Sequence, residues 1–227
     1  MIEVLFIQIP VESNRNTIFA RLQSVVSKEC YAEALGYRNK EVALRRLLGE
    51  ALVRFALKMY WHLPPEDYRI VRGEKGKPFI EGRENVFFNI SHSGDYVVCS
   101  VSDREIGIDI EKRAKARMEV AGRFFHGEEM AQLKILEGDT QDQLFFNYWS
   151  VKECFLKYIG TGLTRSLNSF IVKFTGENVY LYEGMNKLPL YVKACPIDPG
   201  YACYVCSEYN ELPKIRKIIL EEITRVG

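Results

Sequence analysis

Between Ile106 and Glu111 the chain alternates without a break, Ile106, Ile108 and Ile110 against Gly107, Asp109 and Glu111. A period of two belongs to a strand and not to a helix, so this stretch fixes a β element near the middle of the chain. Residues two apart on a strand sit roughly 6.5–7 Å apart on one face. Asp109 and Glu111, with a glycine leaving room beside them, are therefore spaced to share a hard cation such as Mg²⁺. An edge strand with a solvated polar face would carry the same letters, and the pair alone favours that blander reading. Before it, Asn89-Ile-Ser-His-Ser-Gly94 brings one of three histidines to the end of an apolar run, where a lone histidine is more often a hydrogen-bonded structural residue, and a further strand runs to Val101.

At 227 residues, 47% of them hydrophobic and 12% aromatic, the chain is long enough for one large domain or two small ones around a real core. Its net charge of +1 gives no global field toward nucleic acid or membrane, so electrostatic recognition has to come from local clusters. Met1-Ile-Glu-Val-Leu-Phe-Ile-Gln-Ile lacks a basic leader and carries Glu3 and Gln8, which suits a buried first strand better than a signal peptide. No apolar run approaches a transmembrane span. Six scattered cysteines without a secretory signal read as reduced thiols of a cytoplasmic protein. Cys203 and Cys206 form a C-x-x-C, but inside an apolar strand pattern and without a second pair, so they are expected as core thiols.

Asn16-Thr17 offers a cap for a weakly periodic helix reaching Leu35. Leu44, Leu47, Leu48, Ala51, Leu52, Phe55 and Met59 then mark a clear amphipathic helix, with Arg45 and Arg46 off its apolar stripe. Gly73-Glu-Lys-Gly-Lys-Pro78 reads as a lysine-bearing turn that lacks the spacing of a P-loop, and Ser91-His-Ser-Gly94 as a turn at a strand end. Asp103-Arg104 is a polar break, taken as a boundary between segments 1–103 and 104–227. Lys112 to Arg117 packs four cations into six residues. Residues 142–159 form the strongest helix, in which Trp149, Glu153 and Lys157 fall four apart on a second face, and Gly160 and Gly162 stop it. Four short strands follow between Phe170 and Cys206, then a tail from Lys214 that is either helix or strand plus a helical turn.

Four blocks, in this order and spacing, resemble the surfactin-synthetase type of 4'-phosphopantetheinyl transferases: Gly76-Lys-Pro78, Phe88-Asn-Ile-Ser-His-Ser-Gly94, Ile106-Gly-Ile-Asp-Ile-Glu-Lys112, and Trp149-Ser-Val-Lys-Glu-Cys-Phe-Leu-Lys157 with Gly160-x-Gly162-Leu. Each block is weak alone and the set is specific. The resemblance implies an α+β fold of two similar α/β halves related by a pseudo-twofold axis, with the active site in the cleft between them. It implies transfer of phosphopantetheine from coenzyme A to a serine of an apo acyl or peptidyl carrier protein, releasing adenosine 3',5'-bisphosphate, with Mg²⁺ (or Mn²⁺) as cofactor. By position, Asp109, Glu111 and Glu153 correspond to the metal ligands. Glu153 corresponds to the general base, and Lys157 to the group that steadies the leaving phosphate, with Lys152 assisting. Lys77, Pro78, Ser91 and His92 correspond to residues around the 3'-phosphate and adenosine, Arg45 and Arg46 to further phosphate contacts, and Asp109 and Lys157 also to coenzyme A contacts. A monomer is expected. An acidic carrier is expected to dock on Lys112, Arg113, Lys115 and Arg117, with Phe124-Phe125 and the segment Thr161 to Leu167.

Two other readings use the same residues. A thiol acyltransferase would take Cys154 as nucleophile and His92 as base, although no spacing joins them and the carboxylates would stand idle. A non-catalytic coenzyme A-binding module would be favoured by a lost carboxylate or lysine, and none is lost. Cys154 itself departs from the alanine or serine usual in the family and is read as a packing residue.

Overall fold

The computed structural model describes residues 1–10 and 15–226. The chain runs β1 (Ile2–Gln8), α1 (Arg15–Gln23), α2 (Lys28–Gly36), α3 (Lys40–Trp61), β2 (Ile70–Arg72), β3 (Pro78–Ile80), β4 (Phe87–Ser93), β5 (Tyr96–Ser102) and β6 (Ile106–Lys112). It continues through α4 (Met118–Phe124), α5 (Gly127–Lys134), α6 (Gly138–Ile159), β7 (Ile171–Thr175), β8 (Asn178–Glu183), β9 (Asn186–Lys187), β10 (Tyr191–Ala194), β11 (Tyr201–Ser207), β12 (Lys214–Lys217) and α7 (Leu220–Val226). One sheet has the order β12-β1-β5-β4; the other has β6-β11-β10-β8-β7, with β9 on β8.

Alternation along the strands builds the layers. Leu5 and Ile7 of β1 face α3, packing with Leu44, Leu48, Leu52 and Val101. Ile2 and Val4 face the other way, into a core shared with Ile106, Ile108, Ile110 and Val205 of the second sheet. The far side of that sheet packs on α6 through Phe145, Tyr148, Phe155, Leu181 and Cys206. The order is helix, sheet, sheet, helix, so β6 is covered on both faces and is not the strand with a solvated polar face that its letters also allowed. On the neighbouring strand β11, Cys203 and Cys206 fall on opposite sides, each in a core, as a strand's alternation requires of residues three apart.

Several expectations change. The first helical stretch is two helices, because Ser27 caps α2 by accepting from Cys30 N at 3.1 Å. Asn16 and Thr17, expected as a cap, lie inside α1. Ser91 and His92 lie within β4, not in a turn: β4 pairs with β5 through Ser93↔Tyr96, and the turn is Gly94-Asp95, with Gly94 at φ +52°. α6 begins at Gly138, four residues before the expected start. The segment 104–227 does not form one unit either. β12 lies parallel to β1, from Glu3↔Lys214 to Phe6↔Lys217, and Ile218, Leu220 and Ile223 enter the core under α3. The free edge of β1 recruits this partner from the tail.

Among the described glycines, Gly107 leaves the least room for a side chain. A Cβ there would stand 2.2 Å from the Cys154 carbonyl oxygen and 2.5 Å from the Tyr158 nitrogen, both backbone of α6. Gly107→Ala is expected to cost more than the ~1–3 kcal/mol of an ordinary inserted methyl, because a helix backbone cannot rotate aside. A denaturant midpoint equal to that of the parent protein would show that α6 does not seat as described.

Candidate active site

The polar face of β6, the inner face of β4 and one side of α6 meet at Asp109. Its Oδ1 accepts from Lys157 Nζ at 2.7 Å and from Ser91 Oγ at 2.9 Å, while its Oδ2 is buried with no hydrogen-bond partner. Glu111 Oε2 accepts from Ser93 Oγ at 2.9 Å. Burial, reinforced by the Asp109 charge, pushes the Glu111 carboxyl up to about 7. Burial and then Asp109 also raise Glu153, against the pull of Lys157. Among the described residues no three His, Cys, Asp or Glu side chains already stand in a metal-binding arrangement, since Lys157 occupies Asp109 and Ser93 holds Glu111. The donor set nevertheless fits a hard divalent cation: three carboxylates, one of them with an unpaired buried oxygen, and two held protonated-prone by burial and like charge.

Three side chains of β4 hold this strand in place. Asn89 Oδ1, Ser91 Oγ and Ser93 Oγ accept from the backbone N–H groups of Ile108, Ile110 and Lys112 at 3.0, 3.4 and 3.0 Å. The two sheets are thus joined at this edge by side chains standing where carbonyls of a neighbouring strand would be.

Beside the carboxylates lies a cleft of about 300 Å³ whose lining includes Arg45, Arg46, Arg72, His92 and Pro78. Arg45 donates to Gly94 O at 2.8 Å and keeps a buried Nε without a partner. Arg46 pairs with Glu33 at 3.1 Å and Glu50 at 3.6 Å. Burial, then the charges of Arg45 and Lys157, hold the His92 imidazole below its ordinary range and hence neutral. Three guanidinium groups, an imidazole and the Glu50 carboxylate line the cleft, a mainly cationic set with donors for an anion. Arg72 belongs to no motif and was not legible beforehand; only the β2–β3 hairpin brings it here.

Several expected site residues hold contacts of their own. The Lys77 ammonium donates to Glu105 at 2.7 Å, Tyr158 O at 2.9 Å and Ile106 O at 3.4 Å, which uses its three donors. Pro78, next to it, lines the anion cleft. Ser91 is spent on the carboxylate cluster, between Asp109, Lys157 and Ile110 N. Lys152 is fully buried on another side of α6, paired with Glu129 at 2.9 Å and donating to Leu167 O and Phe170 O at 2.8 and 3.0 Å. Among the described residues it has no contact with the cleft lining. Cys154 is buried, donates to Gly107 O at 3.3 Å and has its thiol raised by burial, which removes the nucleophile of the acyltransferase reading.

The expected docking cations are partly engaged at home. Lys112 pairs with Asp95 at 2.8 Å, and Arg113 donates to Pro199 O and Asn147 Oδ1. Phe125 is buried while Phe124 is 40% exposed, edge-on to Trp149.

A sequence profile of the 4'-phosphopantetheinyl transferase superfamily matches residues 105–206, and one for the N-terminal region of 4'-phosphopantetheinyl transferases matches residues 13–104. The chain is 35% identical over 225 residues to the 4'-phosphopantetheinyl transferase gsp of Aneurinibacillus migulanus, covering 98% of this chain and 94% of that one. It is 37% identical over 205 residues to the 4'-phosphopantetheinyl transferase Sfp of Bacillus subtilis, covering 89% and 92%. This chain belongs to the 4'-phosphopantetheinyl transferase family. The two profiles abut between Arg104 and Glu105, in the link from β5 to β6. Among its described residues no helix is long and apolar enough to cross a membrane.

Proposed function

We propose that this transferase moves the 4'-phosphopantetheine of coenzyme A to a serine of an apo carrier protein and releases adenosine 3',5'-bisphosphate. The observation that carries the reading is the adjacency of the Asp109–Glu111–Glu153 carboxylates and the arginine-lined cleft, joined by Lys157 and His92. A pyrophosphate ester with a second, separate phosphate presents two anionic centres, and the two clusters suit one each. Asp109, Glu111 and Glu153 would hold Mg²⁺. A bound divalent ion neutralises charge that develops on phosphoryl oxygens during attack at the pyrophosphate.

The remaining steps belong to the protein. Arg45, Arg46, Arg72 and neutral His92 orient the phosphate and adenosine end. The raised affinity of Glu153 for protons suits a general base that takes the proton of the carrier serine, directly or through one water. Lys157 offers its ammonium to the leaving phosphate. The two helix-on-sheet layers would correspond to the family's pseudo-twofold halves, and a monomer would suffice, since every residue invoked comes from one chain.

The test is direct. Incubation with coenzyme A, Mg²⁺ and a panel of apo carriers, read by intact mass, is expected to add one phosphopantetheine to at least one carrier, and excess chelator is expected to stop it. An acyl adduct formed from acyl-coenzyme A, or no adduct on any carrier, would overturn the reading.

A further inference from the structure

We propose that Ser93 is a positioning residue that fixes Glu111 for the divalent cation; this rests on the metal reading above and concerns a residue that neither the motifs nor the comparisons assign. Asn89, Ser91 and Ser93 share one face of β4 because a strand repeats every two residues. Each accepts one amide of β6, but the three rungs differ in what they have left. The Asn89 oxygen only accepts, from Ile108 N. The two hydroxyls still have a hydrogen, and each donates it to a carboxylate one residue before the amide it accepts: Ser91 to Asp109, Ser93 to Glu111.

The rungs also differ in redundancy. Asp109 is held by Lys157 as well as by Ser91. Among the described residues Ser93 is the one hydrogen-bond donor to the Glu111 carboxylate. Glutamate has more rotatable bonds than aspartate, so the carboxylate with the greater freedom is the one with the single tether. Ser93 also accepts Lys112 N, so one hydroxyl ties both the side chain of Glu111 and the backbone after it. Donors behind a metal ligand typically set affinity by about 10–100-fold.

The variants Ser93→Ala, Ser93→Thr and Asn89→Ala separate this from a merely structural ladder. Mn²⁺ binding to the coenzyme A complex is read by electron paramagnetic resonance, alongside turnover as a function of Mg²⁺ and the denaturation midpoint. Ser93→Ala is expected to weaken Mn²⁺ by about 10–100-fold and to raise the Mg²⁺ needed for half-maximal turnover by the same factor, with kcat restored at saturating metal. Ser93→Thr keeps the hydroxyl and is expected to keep the affinity. Asn89→Ala removes a rung that touches no carboxylate, so it should lower the midpoint with metal affinity unchanged. Wild-type affinity in Ser93→Ala, or an equal loss in Asn89→Ala, overturns the assignment while leaving the metal reading intact. A parent protein that binds no Mn²⁺ and turns over in chelator sinks both.

Discussion

Glu153→Gln is expected to lower kcat by about 10²–10⁴-fold, the range removed with a general base, with the folded protein and its affinity for coenzyme A retained. The substitution keeps the shape of a half-buried side chain and takes away both a charge and a proton acceptor. The stability change should be small and favourable, because Glu153 is a carboxylate raised first by burial and then by the Asp109 charge, and its neutral analogue relieves both. Two measurements carry the test: single-turnover transfer to a carrier, and the thermal midpoint of the metal-free protein. Wild-type turnover in the variant would remove Glu153 from the chemistry. Loss of turnover together with collapse of the fold would instead make it a structural residue.

Lys152→Met is expected to give the opposite pattern. The ammonium is fully buried against a Glu129 that is 1% exposed, and lies 4.3 Å from the centre of the Phe170 ring. Removing one partner of such a pair leaves a buried charge unopposed and costs about 3–5 kcal/mol. Glu129 also accepts from His126 N at 2.8 Å and Val172 N at 2.7 Å. A second substitution, Glu129→Leu, therefore recovers only part of the loss, since two amides remain unpaired. In the fraction that stays folded, kcat is expected within about threefold of the parent. A hundredfold fall in folded, coenzyme A-binding protein would return Lys152 to the catalytic machinery.

These two residues are neighbours in sequence, and their contrast explains what was legible. Asp109, Glu111, Glu153 and Lys157 could be read because their relation is local: two apart on a strand and four apart on a helix put side chains on one face whatever surrounds them. Which face of α6 meets β6, and which meets the 161–170 segment, is a matter of packing, so the role of Lys152 could not be read from its place in the motif. The contacts of Lys77 could not be read either, because its acceptors include Tyr158 O, 81 residues away. The β4 ladder was in fact visible as Asn-x-Ser-x-Ser, but a histidine and a glycine nearby suggested a turn. Pairing of β4 with β5 continues to Ser93 and overrides that local signal. Arg72 had no motif at all.

The return of β12 to β1 has a consequence for the nascent chain. Synthesis delivers β1, β4, β5 and α3 early, yet the strand that closes the flank of β1 arrives only after all of the second sheet. At about 5–20 residues per second, the interval between Ser102 and Lys214 lasts roughly 5–20 s. During that interval the growing polypeptide displays an open strand edge and an unfilled apolar seat for Ile218, Leu220 and Ile223. The layer begun before the second sheet is therefore completed after it, and residues 214–223 act as its clasp.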